Sequence, residues 1–330
     1  MSETIQYINK IEISKLWNKF DIVWELQPDV NILAGVNGSG KSTILELVFN
    51  QVRLGRIEES LSEKIESINT TFTNGNYICS ELYKYNQNET KVEDEYGDKI
   101  LKSVVEGKDV QVNKYLKGVI LTISNNIGSI AHINLIKTFD NILLEAEAVK
   151  KLSNNDIKSQ LDWELYQVQR KYVDYQLNIS KKKDEIIDKG ENDIGEKLKS
   201  LRLPQQRLIE IIEEVFIETD KKIDKNANEL AFILDAKTKL NAYQLSSGEK
   251  QMLLILLTVL IQDNKSSVLL LDEPEISLHI EWQKKLIGYI RELNPNVQVI
   301  IATHSPALIM NGWMDKVVNM GDIVTKTNQN

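Results

Sequence analysis

A single cysteine, Cys79, occurs in 330 residues. No intrachain disulfide can form and no cysteine-rich metal site can be built, which fits a reducing compartment and predicts a cytoplasmic protein. Long apolar runs are also missing. The most apolar one, Met252 to Ile261, is half the length needed to span a bilayer. The start, "MSETIQYINK", has no apolar core and predicts no secretory leader. Nor is there an excess of positive charge. Lys and Arg number 40 against 48 Asp and Glu, a net charge of -8, which argues against a protein that coats nucleic acid. What remains is an ordinary globular composition, long enough for a large core and more than one lobe.

The texture of the chain changes twice. Residues 4–34 read as strands in "IQYINKIEIS", "FDIVWEL" and "VNILAG", and "KSTILELVFNQV" reads as a helix. Residues 68–123 read as β-rich with polar turns. From about Ile130 to Asp224 glycine nearly vanishes and helical periodicity takes over. Leu161, Leu165, Val168, Tyr172, Tyr175 and Ile179 form one heptad pattern; Leu198, Leu201, Gln205, Leu208, Ile212 and Val215 form a second. "DKGENDIG" between them reads as a turn, and Pro204 predicts that the firm part of the second helix starts there. The pair makes either a lid packed on the domain or a short antiparallel arm. After Asn226 "SVLLLDE" and "VQVIIATHS" are fully apolar strands flanking the helix "HIEWQKKLIGYIREL", the pattern of parallel βαβ units. The expected organisation is one α/β domain in two lobes, 1–129 and 226–330, with a helical insert at 130–225.

Between an apolar strand and a helix lies "GVNGSGKST", Gly35 to Thr43, which fits G-x-x-x-x-G-K-[ST] in its required context. Gly35, Gly38 and Gly40, with Asn37 and Ser39, let backbone N–H groups wrap a phosphate. Lys41 is placed to reach the β- and γ-phosphates of ATP, Ser42 to ligate Mg²⁺, and Thr43 follows it into the helix. "VLLLDEPE" puts Asp272 and Glu273 at the carboxyl end of a buried strand, where ligands of open α/β sheets bind. Asp272 suits the Mg²⁺ shell and Glu273 suits a general base acting on the attacking water. "VIIATHSPA" ends a second strand with His304, which could donate to a γ-phosphate. "QLSSGEKQMLLILL" places Ser246, Ser247 and Gly248 at the start of a very apolar helix, a ready anion site.

In this order, "GVNGSGKST", "LSSGEKQ", "LLLDEPEISLH" and "ATHSP" resemble the ATPase head of the ABC class, especially its SMC-, RecF- and OLD-type soluble branch. "DEPEISLH" followed by "EWQ" is similar to the OLD and related defence-associated ATPases. The resemblance covers the two α/β lobes and not the helical insert. It implies an ABC-type P-loop head, with a mixed sheet carrying N-terminal antiparallel strands and an inserted lid or short coiled-coil arm. It further implies a homodimer closed head to tail around two ATP molecules. Ser246, Ser247 and Gly248 of one copy would then cap the ATP on the other's phosphate loop, with Ser277 at the same interface. Glu273 is assigned as catalytic base and His304 as switch histidine. The family's glutamine-bearing loop near magnesium has Gln111 as one candidate here, and "SNN" at 124–126 as a replacement. Trp17 and Phe20 stand before the phosphate loop, where they either contact adenine or pack in the core.

The family's long arms are absent, since the insert is under a hundred residues and holds no CxxC. Only 26 residues follow His304, with Asp315 and Asp322 as their acids, so no nuclease is expected on this chain. The resulting expectation is an ATP-hydrolysing switch that controls a separate effector, a nuclease or toxin. It would resemble the ATPase subunits of two-component anti-phage systems such as Septu and PARIS. A RecF-type DNA-binding ATPase and a transporter's nucleotide-binding subunit are the alternatives, and no membrane contact is expected of the chain itself. Basic runs at Lys150–Lys151, Arg170–Lys171 and Lys181–Lys183 would serve DNA in the first alternative, or form solvated helix faces.

Overall fold

The computed structural model describes residues 7–54, 57–84, 109–115, 118–124, 132–137, 156–190, 193–225, 227, 229–234 and 238–326. A five-stranded parallel sheet lies at the centre, in the order β14 (Val317–Asn319), β3 (Val30–Ala34), β13 (Val297–Thr303), β12 (Ser267–Asp272) and β8 (His132–Lys137). Its inner strands are buried on both faces, which is why they read as unbroken apolar runs. Successive side chains still alternate. Val268 and Leu270 join one core, and Leu269 and Leu271 join the other.

The first core holds α1 (Lys41–Phe49) and an antiparallel seven-stranded sheet. That sheet runs β15 (Val324–Lys326), β2 (Phe20–Glu25), β1 (Ile8–Leu16), β4 (Ser67–Phe72), β5 (Tyr77–Lys84), β7 (Gly118–Ser124) and β6 (Asp109–Tyr115). The expected mixed sheet is thus two sheets, one of each kind. Two buried glutamines tie the antiparallel sheet to its neighbours. Gln298 of β13 donates to the carbonyls of Ile8 and Gln27 and accepts the N–H of Ile8. Gln51, in a π-helical turn that prolongs α1, donates to Ile68 O, Ile78 O and Ser80 Oγ and accepts from Thr70 Oγ1. The helix behind the phosphate loop is thereby fixed to β4 and β5. Between them, α2 (Glu59–Ser62) is a single turn.

The second core holds α5 (Ser247–Leu260), α6 (Ile280–Leu293) and the roots of two long helices, α3 (Gln160–Asp188) and α4 (Ile194–Val215). The heptad residues Leu165, Val168, Tyr172, Tyr175 and Ile179 of α3, and Leu208, Ile212 and Val215 of α4, are buried, as is Ile211 outside the pattern. Residues 180–188 and 193–203 are mostly exposed. The pair is therefore packed as a lid at its root and stands out as an arm at its tip. At about 1.5 Å per residue, the 29 residues of α3 span about 43 Å. Two sequence expectations are corrected here. β8 pairs in parallel with β12, so the head extends through Lys137 and an insert cannot begin at 130. α4 begins at Ile194 and runs through Pro204. Proline lacks the N–H for Ser200's carbonyl, but Ser200 is exposed, so that carbonyl can be solvated and the helix continues. A small antiparallel sheet of β9 (Lys222–Ile223), β10 (Ala231–Ile233) and β11 (Lys239–Asn241) leads into α5. The chain closes through α7 (Pro306–Ile309) and α8 (Met320–Ile323). Among the described residues no helix is long and apolar enough to cross a membrane.

Candidate functional site

β3 ends at Ala34 and the chain turns through Gly35–Gly40 into α1. The backbone takes φ +77° at Gly38 and +104° at Gly40, a region L side chains rarely enter. At Gly40 there is a second exclusion: a β-carbon would sit 2.4 Å from the indole of Trp17. Trp17 therefore lies on the loop itself, half-buried at the margin of the core, whereas Phe20 is 38% exposed and takes no part in core packing. Asn37 is exposed, Ser42 and Thr43 are half-buried in the first turn of α1, and Ser39 Oγ is buried without a partner among the described residues. Lys41 is buried. Its ammonium donates to Gly35 O (2.9 Å) and Val36 O (3.1 Å) and lies 3.3 Å from Glu273 Oε1.

The carboxyl ends of β12 and β13 face this loop. Ser42 Oγ donates to Asp272 Oδ1 at 2.8 Å. Burial pushes the Asp272 carboxyl up to about 6; the Ser42 hydroxyl opposes this, and the nearby Glu273 and Glu46 add to it. Glu273 has left-handed backbone (φ +50°), unusual for a glutamate, and its N–H donates to Ala302 O across the strands. That turn swings its carboxyl group between two cationic or potentially cationic groups, Lys41 on Oε1 and His304 Nδ1 on Oε2. Lys41, Ser42, Asp272, Glu273 and His304 thus meet in one place.

Two further residues organise this place, and the sequence reading gave them no role. Glu275 Oε1 accepts from Thr303 Oγ1 (2.5 Å) and from the N–H of His304 (3.0 Å). Gln283 Nε2 donates to the carbonyls of Glu275 (3.1 Å) and Leu278 (2.8 Å), and its Oε1 accepts from Ser305 Oγ (2.7 Å). Gln283 so straps the acidic loop to the histidine loop. The second glutamate of "DEPE" and the glutamine of "EWQ" were visible as letters, but spacing alone does not show that both reach the same turn.

Ser246 caps α5. Its N–H and Oγ donate to Glu249 Oε2 at 2.9 Å, and its Oγ accepts from Glu249 N–H. Glu249 is buried, and burial works against its charge, but Lys221, Ser246 and Thr219 hold it below the usual carboxylate range. Ser246 and Ser247 are exposed, while Gly248 is buried against the carbonyl of Ser277. Among the described residues no hydrogen bond or ion pair joins Ser246, Ser247, Gly248 or Ser277 to the phosphate loop of the same chain. Gln111 lies in β6, at the edge of the antiparallel sheet, and pairs with Thr122 in backbone register; its side chain lies outside the described residues, as do Asn125 and Asn126.

Residues 196–311 match a family described as "AAA domain, putative AbiEii toxin, Type IV TA system", a span that holds the capped α5, the acidic strand end and the histidine. Over 186 residues the chain is 22% identical to the "Retron Vc95 probable ATPase" of Vibrio cholerae, covering 52% of this chain and 34% of that protein. Over 61 residues it is 33% identical to the "Septu protein PtuA" of Bacillus thuringiensis, covering 18% of this chain and 15% of the other. It is 23% identical to the "Retron Ec83 probable ATPase" of Escherichia coli, covering 86% of this chain and 65% of that one. The chain thus spans from about a seventh to about two thirds of the length of these relatives. Among solved structures, the Smc head domain of Pyrococcus furiosus, bound there to the C-terminal domain of ScpA, superposes with a TM-score of 0.51 at 14% identity, covering 98% of this chain and 96% of that one. A second Smc head bound to the winged-helix domain of ScpA gives 0.50 at 14% identity, over 95% and 93% of the two chains. In fold the chain is like these Smc heads, and in its set of motifs it resembles ABC-class ATPases of anti-phage defence systems.

Proposed function

We propose that this protein is an ATP-driven switch. It binds Mg-ATP on the loop Gly35–Thr43, closes head to tail with a second copy, reopens on hydrolysis, and through that cycle controls a separate effector protein, a nuclease or toxin. The observation that carries the reading is the convergence of Lys41, Ser42, Asp272, Glu273 and His304 at the carboxyl edge of the parallel sheet.

The residues present suit nucleotide and metal. The orphaned Ser39 Oγ and the left-handed Gly38 and Gly40 make a cradle with an unused donor. Ser42 Oγ and Asp272 Oδ1 are hard oxygen donors side by side, the set Mg²⁺ takes together with waters and phosphate. Bound Mg²⁺ supplies charge neutralisation for phosphoryl transfer. Among the described residues Lys41 has its own loop's carbonyls and Glu273 as partners, and phosphate oxygens are stronger acceptors for it. Glu273, released from Lys41, is the base for water, and His304 on its other oxygen fixes the carboxylate's orientation.

Dimerisation is supported by what the signature does not do. Ser247 and the N-terminus of α5 are exposed and unengaged with the chain's own phosphate loop. The apolar Val36 of that loop is 77% exposed, and Ile276 beside Ser277 is 46% exposed. The effector rests on the relatives called retron ATPase and Septu protein, and on the arm as a surface for a partner.

The test is the native mass of Glu273→Gln with and without Mg-ATP, beside phosphate release by the unaltered protein. Doubling of mass, with turnover only in the unaltered protein, is expected. A monomer with ATP bound would remove the head-to-tail closure. A second protein that co-purifies at fixed stoichiometry with the closed form would be the effector.

A further inference from the structure

Glu275 has no task in the ATPase cycle just described, yet it is buried to within 5%. A buried carboxylate is costly unless its oxygens are used. Oε1 is used twice, by Thr303 Oγ1 (2.5 Å) and the N–H of His304 (3.0 Å), and it lies 3.3 Å from His304 Nδ1. Oε2 is buried and has no partner among the described residues. The backbone carbonyl of Glu275 is held by Gln283, which also holds Ser305 on the far side of His304. The imidazole itself is 44% exposed, so packing alone does not fix it. Its Nδ1 faces two carboxylates, which selects the tautomer or ion protonated at Nδ1 and leaves Nε2 for the reacting phosphate. Glu273, Glu275 and His304 are also close enough to share a cation, but the Lys41 ammonium 3.3 Å from Glu273 already supplies positive charge there.

We propose that Glu275 is a positioning residue for His304: it grips the Thr303–His304 turn and so aims Nδ1 at Glu273. The geometric part stands on contacts alone; the kinetic part rests on the ATPase reading above.

The experiment uses the full chain labelled with ¹⁵N-histidine. There are three histidines, His132, His279 and His304, so assignment needs only single substitutions. In the unaltered protein His304 should give one Nδ1-protonated signal. Glu275→Ala should move it toward the mixed tautomers of free imidazole. Glu275→Gln, whose amide oxygen can accept the same two donors, should leave it in place. In turnover, Glu275→Ala should lower kcat at least tenfold with KM for ATP within twofold, and Glu275→Gln should recover to within threefold. A purely structural role would lower stability without that split or that tautomer shift. If Glu275→Ala does not fold, Thr303→Val removes one of the two donors; a His304 signal unmoved in that variant overturns the proposal. An unaltered protein that hydrolyses ATP, with Glu275→Ala unchanged in both signal and kcat, overturns the positioning and leaves the ATPase reading. An unaltered protein without turnover overturns the ATPase reading, while the signal still decides the positioning.

Discussion

The carbonyl oxygen of Ser277 occupies the space beside Gly248, so closely that a β-carbon at 248 would sit 2.2 Å from it. Ser277 lies in the loop after the acidic strand, and Gly248 lies in the first turn of α5. The two segments proposed to meet the partner's ATP are therefore one packed unit. Gly248→Ala must force them apart, because the atom in the way is backbone. We expect a loss of about 2 kcal/mol or more in unfolding free energy. ATP binding by the mutant's own phosphate loop should be retained and ATP-driven dimerisation lost. Urea melts and native mass with Mg-ATP read the two effects separately.

Lys41 and Glu273 make opposite demands on the same pocket. Lys41→Ala removes the ammonium held by the loop's carbonyls and by Glu273 Oε1, so ATP affinity should fall at least 100-fold by calorimetry. Glu273→Gln keeps the shape and the contact to His304 but not the basicity. ATP binding should persist while phosphate release drops by about 10²- to 10³-fold. Normal turnover in Glu273→Gln would assign the base elsewhere.

How far these features were legible varies with their physical origin. The parallel strands were readable because burial on both faces leaves a continuous apolar signature in "SVLLLD" and "VQVIIAT". The register of α3 was readable because five of its six heptad residues are buried in the core; in α4 only Leu208, Ile212 and Val215 of the pattern are buried, and Ile211, outside it, is buried too. β8 was not readable as head. "HINLIK" carries a half-exposed, half-buried pattern because it is the sheet's edge strand, and it adjoins a long charged stretch. The start of α4 was misplaced because proline's cost in a helix depends on whether the orphaned carbonyl reaches water, which no spacing encodes. Glu275 and Gln283 were invisible for another reason. Their partners lie 28 and 22 residues away in sequence and meet them only through the parallel pairing of β12 with β13.

Asp272 gives the pH dependence of the metal-free protein. Burial raises its folded-state value to about 6, above the roughly 3.9 of an unfolded aspartate. The native state therefore holds more protons than the unfolded one between about pH 4 and 6. Stability from this group is present below that window and is lost as pH rises through it, by on the order of 3 kcal/mol at most. Asp272→Asn should flatten that slope. Guanidinium midpoints at pH 4.5 and 7 in EDTA measure it, and equal slopes in both proteins would show that Asp272 is not the source. Mg²⁺ binding should weaken below about pH 6, since only the ionised carboxylate offers the ligand.

Asp162 links the signature helix to the arm. It closes the capping box at the start of α3, accepts the N–H groups of Lys158 and Ser159, and takes the ammonium of Lys250 from α5 at 2.8 Å. Burial opposes its charge, yet Lys250 and the backbone donors hold its carboxyl below the usual range. Asp162→Ala leaves the Lys250 ammonium largely buried and uncaps the helix, which should cost about 3–5 kcal/mol. Asp162→Asn with Lys250→Met removes both charges and should recover part of that loss. Hydrogen exchange locates the effect: amides of the first turns of α3 should open while the middle of α5 stays protected. If α3 amides are unchanged in Asp162→Ala, the arm is held without this cap, by apolar residues such as Leu165, Val168 and Tyr172 and by Gln169 on the Tyr243 hydroxyl. Closure at the α5 N-terminus would then reach the arm through those contacts, and an effector on the arm would sense the cycle through them rather than through the Asp162–Lys250 pair.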